Sequence, residues 1–138
     1  MKAKEFLQQI EKLDTMIRCK QAEAQMWRDV ALSITGQMGG ERVQSSGNPQ
    51  KMADAVNNYL DIDDELPEDI KRLKEQRREI IAVIEQLKPD EYEFLHMVYV
   101  QRIDLADVAI IKDRSYSWAT TMHGNCLKKV QCIVDRMQ

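Results

Sequence analysis

Phe6, Ile10, Leu13, Ile17, Lys20, Ala24, Trp27, Ala31 and Ile34 come one after another in steps of three and four. Lys20 is the only break in an otherwise apolar stripe. Such spacing places every member on one edge of a long helix and demands a partner for that edge. A second stripe repeats the pattern: Met52, Val56, Tyr59, Asp63, Leu66, Ile70, Leu73, Arg77, Ile80, Ile84 and Leu87. Pro67 lies within it. A proline in a helix interior costs about 3 kcal/mol and kinks or breaks the helix. The stripe nevertheless keeps its phase on both sides, so one helix kinked near residue 67 is expected.

Between the stripes, residues 36–50 read "GQMGGERVQSSGNPQ", a loop by composition. Gly36 begins it, and Asn48 with Pro49 after it fits the start of the next helix. Two amphipathic helices joined by such a loop pack as an antiparallel, coiled-coil-like hairpin. Leu7, Met16 and Met26 fall off the main seam. They make residues 1–87 a candidate arm for a homo-oligomer.

A second domain is expected over residues 88–138. Pro89 suits a first helical turn, with Asp90, Glu91 and Glu93 complementing the helix dipole. Tyr92, Leu95, Val98 and Tyr99 would share one face, and His96 would pack among them. Asp104, with Asp107 three residues on, resembles a capping box for a short helix at roughly 105–112. Ser115 then caps a longer helix whose inner face is Ala119, Met122, Cys126 and Val130. Ala109, Asp113, Ala119 and Met122 sit at the spacing of a helix-turn-helix. That motif wants a small residue, a left-handed turn residue four positions later, and two buried residues beyond. Asp113 stands where glycine is favoured, but aspartate tolerates that conformation better than most residues. The fold class is therefore all-α: a long helical hairpin, then a three-helix helix-turn-helix domain.

The stretch "LKPDEYEFLHMVYVQRIDLADVAIIKDRSYSWATTMHGNCLKKV" resembles region 4 of the sigma-70 class of RNA polymerase factors. With "RVQSSGNPQKMADAV" ahead of it and "HGN" near its end, the chain from about Val43 is similar to small phage and prophage proteins. These are related to late-transcription regulators of the ArpU and RinA type. The resemblance implies DNA binding and transcriptional regulation in a bacterial host cytoplasm, with double-stranded DNA as partner and host RNA polymerase as a further candidate. A small-terminase-like packaging subunit and a protein-binding adaptor for polymerase are the alternatives. Asp113 departs from the family's turn, and Ser117 and Trp118 stand where it tends to place other polar or basic residues.

Read as a recognition helix, the segment after Ser115 offers Tyr116, Ser117, Thr120 and Thr121 to base edges. Arg102, Lys112, Arg114, Lys128 and Lys129 are the expected phosphate contacts. Trp118 is expected to pack against the preceding helix or another subunit. Gly124 implies close approach of a DNA backbone or a neighbouring helix. The net charge of −3 does not advertise a nucleic-acid binder, but residues 102–138 are net basic while 45–86 are net acidic.

No enzyme is expected. The two histidines lack triad partners, and Gly39–Gly40 lacks the Lys-Ser/Thr pair that completes a P-loop. Cys19, Cys126 and Cys132 read as free thiols of a reducing compartment. His123 with Cys126 and Cys132 falls short of a zinc ligand set, so neither a metal nor a cofactor is expected. No apolar run reaches membrane-spanning length.

Overall fold

A computed structural model describes the backbone of residues 1–38 and 49–138. Within it, the side chains of residues 34–38, 49–52, 55, 56 and 58–64 lie outside the description. The chain is all-α, and no strand occurs among the described residues. The elements are α1 (Ala3–Met38), α2 (Pro49–Glu85), α3 (Pro89–Leu95), a single π-helical turn (His96–Val100), α4 (Leu105–Ile111) and α5 (Tyr116–Met137). Helix α1 continues two residues past its expected stop at Gly36. Most of the expected 36–50 loop, including Asn48, lies outside the described residues. Helix α2 runs unbroken through Pro67.

The chain divides into two compact units. One comprises Met1–Asp14 with Glu75–Gln138, and the other Thr15–Lys74. The expected boundary at 87/88 is thus not where the units part. The first turns of α1 and the last of α2 belong with the C-terminal helices.

In the Thr15–Lys74 unit, Ile17, Leu66 and Leu73 are buried. Lys20, the break in the first stripe, reaches Asp69 on α2 at 3.4 Å. Met16 and Met26 are exposed, as their off-seam positions imply.

In the other unit, Ala3, Leu7, Ile10 and Leu13 of α1 are buried with Ile80, Val83 and Ile84 of α2. Leu7, expected off the seam, is fully buried, whereas Phe6 is only partly so. Two stripes alone do not account for this. The α1 end is enclosed by more than α2: Gln131 of α5 accepts a bond from the Ala3 N–H at 2.7 Å and donates to the Met1 carbonyl. Arg77, the basic break in the second stripe, donates to Asp14 at 2.6 Å.

The π turn follows α3 and resets the face presented by the residues after it. Phe94, Leu95, Met97 and Tyr99 are buried, while Tyr92 and Val98 are only partly so. An extra residue in one turn rotates every later residue about the helix axis, which a constant helical period does not anticipate. His96 is partly buried, tilted against the Tyr92 ring and bonded through Nδ1 to Gln101.

Both short elements end on a left-handed residue that is not glycine. Asp113 has φ 54° and Arg102 φ 58°. At Asp113 the Arg114 N–H reaches the Ala109 carbonyl at 2.8 Å and the Asp113 N–H reaches Ile110 at 3.1 Å. This is the Schellman pairing that ends a helix cleanly. At Arg102 the Ile103 N–H reaches the Met97 carbonyl at 2.9 Å, one residue further back than that pattern because the turn is π-helical. Asp104 occupies the N-cap position of α4, but its side chain makes no capping bond, so the expected capping box is not formed.

A non-glycine residue held in the left-handed region costs about 1–2 kcal/mol. Asp113→Gly is expected to raise stability by about 0.5–1 kcal/mol, and Asp113→Val to lower it by about 1–2 kcal/mol. Urea midpoints at unchanged m-value measure both.

Candidate nucleic-acid interface

The turn between α4 and α5 is closed by small residues and one cap. Ala109 and Ala119 are 3% and 0% exposed, so the two helices are in close contact there. The Ser115 Oγ accepts the Trp118 N–H at 3.0 Å, satisfying one of the orphan donors at the start of α5. Trp118 packs edge-on against Phe94 of α3, with ring centroids 5.8 Å apart. The Arg114 guanidinium lies over the same indole at 5.7 Å. The tryptophan in the first turn is therefore an anchor between helices.

The inner face of α5 is Ala119, Cys126, Val130 and Val134, all buried, with Met122 partly exposed. Facing away are the four expected base-reading residues. Tyr116, Ser117, Thr120 and Thr121 are all exposed. The Thr120 hydroxyl donates to the Ser117 carbonyl at 2.9 Å. Ser117, Thr121, Gly124 and Lys128 are spaced four, three and four apart, which aligns them in one exposed row. A Cβ built on Gly124 would meet nothing within 4 Å. No neighbouring helix among the described residues explains this glycine.

The five expected phosphate contacts do not form one free set. Lys129 is bonded to Glu91, and Lys112 to Glu93. Arg102 lies 3.6 Å from Asp14 and 4.0 Å from Glu11. Among the described residues, Arg114 rests on Trp118 with no carboxylate partner, and Lys128 is exposed with no ion pair.

Glu91 itself is buried, at 6% exposure. Its Oε1 accepts the Lys88 N–H at 3.2 Å, and its Oε2 takes Lys129. The hydrogen bond to Glu91 raises the Lys129 pKa above the ordinary lysine value. A carboxylate expected only to complement a helix dipole is instead the polar tie between α3 and α5.

A second tie joins Tyr99 to α5. The Tyr99 hydroxyl lies 2.7 Å from His123 Nε2, with the rings stacked. Burial lowers the His123 pKa, and Lys4 lowers it further. The neutral imidazole is thus the favoured form, and its tautomer sets which partner donates in the bond to the phenol. The pair joins residues twenty-four positions apart, which a helical period alone does not reveal. Beside it lies a cleft of about 330 Å³ that also involves Lys4, Gln8 and Arg102. No three His, Cys, Asp or Glu side chains among the described residues converge as metal ligands would. No described helix is long and apolar enough to cross a membrane.

Comparison of the chain with protein-family models, curated proteins and solved structures finds no match.

Burial pushes the Tyr99 hydroxyl up to about 12. Burial, then Glu91 and Asp90 opposed by Lys129, pushes the Cys126 thiol up to about 11. Both groups stay neutral in the fold where the unfolded chain would already ionise. Stability is therefore full below about pH 9 and falls as pH rises through 9–11 for Cys126 and 10–12 for Tyr99. His123 acts in the other direction, its contribution being lost as pH falls below 6.5. Urea unfolding at stepped pH is expected to show the alkaline loss, with the earlier part absent in Cys126→Ala.

Proposed function

We propose that this chain is a sequence-dependent DNA-binding transcriptional regulator, acting through α4 and α5 in the major groove. The observation that carries the reading is the α4–α5 turn. Two buried alanines, a left-handed Asp113 and a Ser115 cap close the turn and leave the tip of α5 exposed. That is the requirement for a helix that must enter a groove about 12 Å wide. The resemblance to sigma region 4 and to phage late-transcription regulators supports the same reading, and a phage or prophage setting belongs to it. Host RNA polymerase is a further partner under this reading. Self-association would use the face of α1 on which Met16 and Met26 stay exposed.

Gly124 adds support. Glycine in a helix interior costs about 1 kcal/mol relative to alanine. Nothing around it within the described chain needs the space, yet it interrupts the row between Thr121 and Lys128. A sugar-phosphate backbone approaching that row would use the gap. Gly124→Ala is therefore expected to stabilise the fold by about 1 kcal/mol and to weaken DNA binding at the same time. Stabilisation with unchanged affinity would remove Gly124 from the interface.

Affinity should depend weakly on salt. If only Arg114 and Lys128 meet phosphates, log K against log salt falls with a slope of roughly −2; five contacts would give roughly −4.5. Changing Ser117, Thr121 and Lys128 together to Ala is expected to abolish specific binding with circular dichroism unchanged. Full retention of a selected duplex by that triple variant sinks the assignment.

One observation favours a second reading, a protein-binding adaptor. Ile110 and Ile111 at the end of α4 are 75% and 59% exposed, and three of the five basic candidates already hold carboxylates. Absence of duplex binding even at low salt would favour it.

A further inference from the structure

We propose that the α4–α5 tip reads thymine methyl groups, so that its ligand is an A·T-containing duplex recognised by apolar contact. This rests on the DNA-binding reading and goes beyond it by naming the base feature that is read.

Guanine is ordinarily read by a bidentate Arg or Lys, and adenine by a bidentate Asn or Gln. From Tyr116 to Gly124, α5 carries none of these four residue types. Arg114, just ahead of the helix, lies over the Trp118 ring. His123, in the same stretch, is bonded through Nε2 to Tyr99. Beside the exposed polar Asp113, Arg114, Ser115 and Ser117, the exposed side chains around the tip include the apolar or methyl-bearing Ile110, Ile111, Tyr116, Thr120 and Thr121. Thr120 directs its hydroxyl proton to the Ser117 carbonyl, so toward a groove it offers a methyl and an acceptor lone pair. The thymine C5-methyl is the apolar feature of the major groove, and a surface of this composition matches it.

The same composition accounts for Ile110 and Ile111, which otherwise expose apolar surface without purpose beside the turn. They flank the start of α5, Ile110 being tied by its carbonyl to the Asp113 N–H. A base edge presented to Tyr116 would lie beside them. Burial of one methyl contributes about fourfold in affinity, the equivalent of ~0.8 kcal/mol.

The test uses the full chain and two random-sequence duplex pools, one copied with thymidine triphosphate and one with deoxyuridine triphosphate. The pools present the same hydrogen-bonding edges and differ only by the C5-methyl. The proposal expects the thymine pool to be retained better by about fourfold per contacted methyl. Thr120→Ser and Thr121→Ser, which remove a methyl and keep the hydroxyl, should lower retention of the thymine pool and leave the uracil pool unchanged. Equal retention of both pools overturns the methyl inference and leaves DNA binding standing. Retention of neither pool at low salt overturns both and assigns the apolar turn to a protein partner. Enriched sequences that keep guanine rather than thymine at the fixed positions also overturn the inference.

Discussion

A buried carboxylate cannot stand unpaired, and Glu91 is buried. Its isolated charge in a low-dielectric setting would be costly, and the geometry around it meets that cost from two elements. The Lys88 N–H at the head of α3 and the Lys129 ammonium on α5 share its two oxygens. With Lys129 turned toward α3, the helical period decides the rest of α5. Ala119, Cys126, Val130 and Val134 go inward, and Ser117, Thr121, Gly124 and Lys128 go outward. The exposed row that carries the functional reading is therefore set by a polar contact well along the helix from its tip. The same contact removes Lys129 from the phosphate-binding set, so one interaction fixes both the orientation of the helix and the limit of its charge.

Strain at helix ends supplies the second constraint. Asp113 and Arg102 hold left-handed conformations that glycine would adopt at little cost. Each has a different compensation. Asp113 lets the Schellman bonds form and brings Ala109 against the start of α5. Arg102 sits after the π turn, where its guanidinium reaches Asp14 and Glu11 of α1. Replacing Arg102 by glycine would relax the backbone and forfeit those ion pairs. Replacing Asp113 by glycine relaxes the backbone and leaves the Schellman bonds in place, since they are made by main-chain groups. The two sites thus separate backbone strain from electrostatic tethering.

Local features were legible in the sequence, and features that depend on long-range enclosure were not. Ser115 is a cap, Asp113 is left-handed and α2 continues through Pro67, as the surrounding pattern implies, whereas Trp118 packs on Phe94 of α3 and not on the helix immediately before it. Leu7 is buried off the main seam, near the end of α1 that Gln131 of α5 ties at Ala3 and Met1. Met97 displaces Val98 from the core because a π turn has no mark in the hydrophobic period. The pairing of Arg102, Lys112 and Lys129 is hidden for a related reason. Positive charges on and ahead of α5 look alike in sequence, whereas the carboxylates that neutralise them are held by α1 and α3, from nineteen to ninety-one positions away.

That neutralisation changes what kind of recognition the surface supports. An intrachain pair can open to meet a phosphate only by giving up a contact it already has, so each such exchange contributes less than a free lysine does. For Lys129 the exchange is worse than neutral, because it would leave Glu91 buried without its cation. Under the proposed DNA-binding reading Lys128 and Arg114 remain for phosphates, and two such contacts supply little sequence-independent affinity. A binder with a weak electrostatic hold must draw more of its free energy from the base edges or from a second subunit. The exposed tip of α5 and the exposed isoleucines of α4 are the surfaces that can provide the first, and Met16 and Met26 mark where α1 can provide the second. Within the proposed DNA-binding reading, the charge pattern therefore favours fitted apolar contact with modest salt dependence over a nonspecific basic patch.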